Sequence, residues 1–218
     1  MYKRIYWSDP NRANASLLKH IFFIVNRKPF IDEVLSTFHF ASKKDIQRAI
    51  LSKADANNLS TVEASLNQLN QKGQTRYKSV LVLDKNSEYP HSNQICRLFS
   101  ESNYSKQHDI RDKLEQALID RYNIYHVGTN YGAIVLVDMP YENRGSKLGE
   151  DIRILRYDES HLPLTKASGI VSGLGTAFDD QLMLLRVFLR PDIYENLIDK
   201  FGDKDVAAFI CDKLYEFL

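Results

Sequence analysis

The chain has 218 residues, 44% hydrophobic and 26% charged, with 29 basic side chains against 28 acidic and a formal net charge of +1. This is ordinary globular composition with room for a sizeable core, in one large domain or two small ones. It excludes the strong basic excess by which proteins hold nucleic acid or anionic membrane surfaces.

No apolar run approaches the roughly 20 residues that cross a bilayer, and the N-terminus MYKRIYWSDPNR carries no apolar signal-peptide core. Two cysteines, Cys96 and Cys211, lie far apart without C-x-x-C spacing. That usage fits a reducing compartment, so a cytoplasmic location is expected.

The first elements read as helices. In NRANASLLKHIFFIV, Ala13, Leu17, Leu18, Ile21 and Ile24 recur at helical spacing, behind Asp9-Pro10 as an N-cap and first-turn proline. Ile21, Phe22, Phe23 and Ile24 in succession make this helix apolar nearly all round, which favours burial against something. Pro29 ends it. FIDEVLSTFHF repeats the pattern with Ile31, Val34, Leu35 and Phe38. SKKDIQRAILSKADANN is capped by Ser42, and a further helix starts at Ser60 or Thr61 and stops at Gly73.

After Gly73 the pattern changes. YKSVLVLD (77–84) predicts a buried strand, followed by a polar stretch, 85–104, and a helix within YSKQHDIRDKLEQALIDRY (104–122) that His108-Asp109 opens. Strand-like runs follow at 122–128, 131–140 and 150–158, the last alternating as a half-exposed strand does. TKASGIVSGLG (165–175) reads as a short helix, LMLLRVFLRP (182–191) as a strand closed by Pro191, and two terminal helices complete the chain. The second of these presents Val206, Phe209, Ile210, Leu214 and Phe217. The expected fold class is α+β: a helical segment, 1–73, followed by a domain, 74–218, with a small antiparallel sheet and flanking helices. The boundary is placed near Gly73 or within 85–104.

His108-Asp109 matches the ligand pair of a superfamily of metal-dependent phosphohydrolases. On a helical wheel the stripe of Ile110, Leu114, Ala117 and Leu118 leaves both residues roughly 130° from its centre. Both are therefore expected to point outward, with Asp109 serving the helix start. His91 lies in a polar loop, no helix is expected between it and His108, and no metal site is assigned in this chain.

Two other stretches resemble that superfamily. YKRIYWSDPNRANASLLKHIF (2–22) is similar to the segment after the catalytic helices of HD-domain deoxynucleotide triphosphohydrolases, where a Tyr-aromatic-His triplet leads to Arg-Ala and a helix. Tyr6, Trp7, Arg12 and Ala13 match, and Ser8 stands where His is usual. Residues 134–191 resemble the C-terminal portion of those proteins. A strand ends in Val-Asp, an I-x-I strand and a Leu-x-x-Ala-Ser segment follow, and a final strand reads Arg-Val-Phe-Leu before a proline.

The resemblance implies an accessory, regulatory and oligomerising portion of an HD-domain phosphohydrolase, with the divalent metal of the full-length family held on helices absent from this chain. Partners expected on that basis are further copies of the chain or a catalytic HD-domain segment, and a nucleotide. No membrane or nucleic acid is expected. The alternative is a stand-alone binding or scaffold protein that keeps the accessory fold without catalysis.

Candidate phosphate or nucleotide contacts are Tyr6, Arg12, Arg144, Lys147, Arg153 and Arg156. The resemblance puts Tyr6 beside a nucleotide pocket; packing against a neighbouring helix is the plainer role. Arg12 suits either a phosphate or an acidic side chain at a subunit boundary, so Arg12→Ala is expected to weaken association more than folding. The basic residues of 144–156 suit phosphate through paired guanidinium bonds, or solvent exposure on a strand. No catalytic constellation is complete: the six histidines are scattered, Cys96 and Cys211 read as packing residues, and Glu150-Asp151 and Asp179-Asp180 as solvated turns.

Overall fold

A computed structural model describes residues 8–25, 42–70, 77–84, 86–124, 132–139, 153–155, 161–163, 166 and 184–218. In chain order the elements are α1 (Asp9–Val25), α2 (Lys43–Lys53), α3 (Leu59–Asn70), β1 (Lys78–Leu83), α4 (Ser92–Glu101) and α5 (Tyr104–Tyr122). Then come β2 (Val135–Asp138), β3 (Arg153–Leu155), β4 (His161–Pro163), β5 (Leu185–Leu189), α6 (Pro191–Phe201) and α7 (Asp203–Phe217). The fold is α+β.

The sheet has the order β1-β5-β2, and both outer strands run antiparallel to β5. Lys78 and Val135 both face Leu189, and a register shift between Ser79 and Leu81 bends β1. Every residue of β5 is buried, as a central strand covered on both faces requires. Its alternation divides the molecule. Leu185, Val187 and Leu189 join a core with Ile95 and Phe99 of α4, Ile110, Leu114 and Leu118 of α5, and Val206, Ile210 and Leu214 of α7. Phe188 points the other way, to Leu17 and Ile21 of α1, Ile50 of α2 and Val62 and Leu66 of α3. Helices of the 1–73 segment thus share a core with the sheet of the 74–218 segment. β3 and β4 form a separate antiparallel pair.

Local chemistry accounts for the element boundaries. Ser42 and Asp45 form a reciprocal capping box at the start of α2. In α1 the buried Ala13, Ser16, Leu17, His20, Ile21 and Val25 trace one helical face. The Ser8 carbonyl accepts from the Arg12 amide at 3.0 Å, so Asp9 and Pro10 are the first helical residues and the helix starts at the expected cap residue itself. Tyr77, immediately before β1, donates its buried hydroxyl to the Ala133 carbonyl at 2.6 Å, tying the approach to β1 to that of β2.

Two expectations are corrected. The polar stretch 85–104 contains α4, so a helix does lie between His91 and His108; its buried Ile95, Cys96 and Phe99 recur at helical spacing between polar neighbours. The cap of α5 is Asn103, whose side chain accepts from the Lys106 amide at 2.9 Å, and Asp109 is an exposed residue of the second turn. Helices expected in 30–40 and 165–175 (apart from Lys166), Gly73, and the strand expected at 122–128 beyond Ile124 lie outside the described residues.

Candidate functional site: a cleft between α1 and α5

The second turn of α1 is clamped to β2. Arg12 donates from Nε and Nη2 to the two carboxylate oxygens of Asp138, at 2.6 and 2.7 Å. Asp138 is wholly buried, and Lys19 Nζ reaches it at 3.2 Å. One turn on from Arg12, Ser16 donates to the Val137 carbonyl at 3.0 Å. On the neighbouring strand, Arg186 Nε donates to Asp9 at 3.2 Å; burial lowers its pKa, partly offset by Asp9 and Asp138. A buried carboxylate requires this density of cations and donors.

α5 secures the same strand differently. Among the described residues β2 is an edge of the sheet, and its backbone groups need partners. Glu115 accepts from the amides of Ile134 and Val135 at 3.0 and 3.2 Å, while Arg111 Nε donates to the Val135 carbonyl at 3.0 Å. The remaining Arg111 nitrogens hold Asp112 and Glu115. Side chains of one helix thus take the place of a neighbouring strand.

Between these two clamps is a cleft of about 390 Å³ including its open mouth, lined by Lys19, His20, Tyr104, His108, Arg111 and Met139 among others. His20 Nδ1 lies 3.1 Å from His108 Nε2. The two rings are within 9° of parallel and their centroids are 5.2 Å apart. That separation is close to the nitrogen distance plus two ring radii, so the imidazoles meet edge to edge through one N–H···N bond. Phe23 covers the face of His108, centroid to centroid 3.7 Å, and meets Tyr104 edge-on.

On the far side of His108, Nδ1 is 3.2 Å from Asp112 Oδ2, within ion-pair distance but off the line of a hydrogen bond. The carboxylate favours the His108 proton on Nδ1, which leaves Nε2 to accept from His20 Nδ1–H and puts the free lone pair of the pair on His20 Nε2. The pKa of His20 is well below the usual imidazole value, first because the ring is buried and then because Arg111 and His108 oppose a second positive charge. Half-burial pulls the Asp112 pKa upward, but His108 and Arg111 more than offset it and hold the carboxyl below its usual range.

The expectation that His108 points outward is therefore corrected: its side chain is only 9% exposed. Ile110, Leu114 and Leu118 form the stripe that faces the α4–α7 core, whereas Tyr104, His108, Arg111 and Glu115 form a second stripe at intervals of four, three and four, facing α1 and β2. Asp109 does face solvent. His91 does not approach His108; its ring stacks on Tyr215 at 4.0 Å.

Of the candidate contacts, Arg12 is engaged inside the chain by Asp138, and Arg153 lies on β3 with its backbone paired to Pro163. Tyr6, Arg144, Lys147 and Arg156 lie outside the described residues. Cys96 and Cys211 are both buried thiols outside any disulfide, and burial pushes the Cys211 thiol up to about 11. Sequence reasoning did not single out Asp138, Lys19, His20 or Arg111. The Val-Asp that ends the predicted strand was visible, but nothing local marks that aspartate as buried.

Among the described residues, no group of three or more His, Cys, Asp or Glu is placed to hold a metal ion. The divalent metal that the resemblance attaches to the full-length family finds no ligand set there. Nor is any described helix long and apolar enough to cross a membrane. No protein-family profile, curated protein or solved structure matches the chain.

Proposed function

We propose that the chain is the accessory portion of an HD-superfamily phosphohydrolase-like protein of the deoxynucleotide triphosphohydrolase kind. It supports oligomer contacts and nucleotide-dependent regulation in the cytoplasm, and the metal chemistry belongs to the superfamily's His, His-Asp and Asp helices. One observation carries the reading. The two stretches that resemble the family, 2–22 and 134–191, meet through the bond from Arg12 of the first to Asp138 of the second. Arg186, in the Arg-Val-Phe-Leu strand, reaches Asp9 in the same way. Residues matched separately along the sequence therefore converge on one junction.

The test is an assay of deoxynucleoside triphosphate hydrolysis with Mg²⁺ or Mn²⁺. The chain is assayed alone and mixed with a polypeptide carrying the superfamily's metal-binding helices. The expected result is no turnover by the chain alone, and complex formation with altered turnover in the mixture. Turnover by the chain alone, or no interaction between the two polypeptides, counts against the reading.

A further inference from the structure

We propose that the cleft between α1 and the first turns of α5 is an oxyanion site that takes a phosphate group on Lys19 and the His20–His108 pair. The inference stands apart from the accessory-portion reading, since none of the candidate nucleotide contacts serves as a ligand; Arg12 enters only as the partner that holds Asp138.

Among the described residues, the charges around the cleft come from three elements. α1 contributes Arg12 and Lys19, α5 contributes Arg111, Asp112 and Glu115, and β2 contributes Asp138. With both imidazoles neutral, three cations face three carboxylates and the set is balanced. Arg111 is buried and held in place by Asp112, Glu115 and the Val135 carbonyl. Asp138 is engaged twice by Arg12, and Lys19 is its third and longest partner at 3.2 Å, with a side chain 39% exposed. Lys19 is thus the cation that the network releases at least cost, and it lines the cleft beside His20.

An anion entering a balanced site leaves a negative excess, which the imidazole pair can neutralise by taking up one proton. The N–H···N bond survives that change as an imidazolium–imidazole bond, with no ring displaced. The N-terminal turns of α5, which supply Tyr104, Gln107 and His108 to the lining, add the positive end of a helix dipole. Without an anion, burial and Arg111 keep the proton off His20. Binding and proton uptake are therefore linked, and each favours the other. A transition metal suits the pair less well, because the two facing nitrogens lie nearly on the line between the rings and do not converge on a third point.

Sulfate is the first probe, because unlike phosphate it does not titrate near neutrality; inorganic phosphate follows. Calorimetry in two buffers of different ionisation enthalpy, with imidazole ¹⁵N spectra, reads both affinity and proton uptake. Sulfate affinity is expected to strengthen by up to about tenfold for each pH unit lowered through the imidazole range, with the His20 and His108 resonances moving together. Lys19→Met, which leaves both Arg12–Asp138 bonds in place, is expected to weaken binding about tenfold, the scale of one charge-assisted contact. His20→Asn is expected to flatten the pH dependence; should that variant fail to fold, Lys19→Met still decides. Unchanged affinity in Lys19→Met, a pH-independent wild-type affinity, or capture of Zn²⁺ by the imidazoles in preference to sulfate would overturn the proposal.

Discussion

Replacing Arg12 with Met keeps most of the aliphatic stem and removes both bonds to Asp138. The carboxylate is wholly buried, so it cannot turn to water, and among the described residues only Lys19 then remains within 4 Å of it. Breaking a buried ion pair from one side costs about 3–5 kcal/mol. Lys19 stays in place and Arg12 is itself 14% exposed, which puts the expected loss at the lower end, about 3 kcal/mol. With a urea slope of about 3 kcal/mol per molar for a chain of this size, the unfolding midpoint falls by about 1 M.

The assay is a double-variant cycle, comparing Arg12→Met, Asp138→Asn and the two combined by urea denaturation, with elution volume recorded for each. The combined variant is expected to regain about 2 kcal/mol over the sum of the singles, since the uncompensated charge is gone. The sequence alone led to the opposite ordering, with association more sensitive than stability. A loss below about 1 kcal/mol together with an altered elution volume would restore that ordering and refute the present reasoning.

Two further outcomes follow from the same packing. His20 has a lowered folded-state pKa, so below about pH 6.5 the unfolded chain takes up a proton that the folded protein resists. Its contribution is fully present above that value and is lost as pH falls toward the depressed folded one. In buffer free of oxyanions, urea midpoints of the wild type should drop between about pH 7 and pH 5 more than those of His20→Asn; parallel curves would show that the ring does not titrate on unfolding. Tyr77→Phe removes a buried hydroxyl from the Ala133 carbonyl and should cost about 1–2 kcal/mol by urea denaturation. A neutral result would mean that the carbonyl finds another donor.

The elements that sequence reasoning placed well are those where one signal dominated. The helix of YSKQHDIRDKLEQALIDRY exists and runs to Tyr122, although it opens at Tyr104 and not at the expected His108-Asp109, and Ser42 caps α2 as its position ahead of KKD suggests. LRVFL, apolar but for Arg186, became the central strand. α4 is not legible in the sequence because its four apolar residues, Ile95, Cys96, Leu98 and Phe99, are outnumbered by polar ones; the buried three have helical spacing, but the composition reads as loop. The cleft was hidden for another reason. α5 is buried along two stripes, one apolar against the core and one polar against α1 and β2, and a single-stripe wheel discards the second. His20 and Asp138 sit in elements that were correctly assigned, but which carboxylate is buried and which imidazole meets another depends on how α1 lies across β2. Local periodicity does not encode that angle.

The position of β5 in the chain has a consequence for biosynthesis. Among the described residues, Lys78–Leu83 and Val135–Asp138 pair with Leu185–Leu189 and not with each other, so a nascent polypeptide emerging from the ribosome carries both without that shared partner until its last quarter arrives. Such exposed strand backbone, with Val80, Leu81 and Leu136 alongside, is what holdase chaperones bind and what aggregates when they are scarce. A stop codon ahead of Leu185 would leave neither hydrophobic layer with its central strand, and premature termination there should yield insoluble material in place of a shortened folded product.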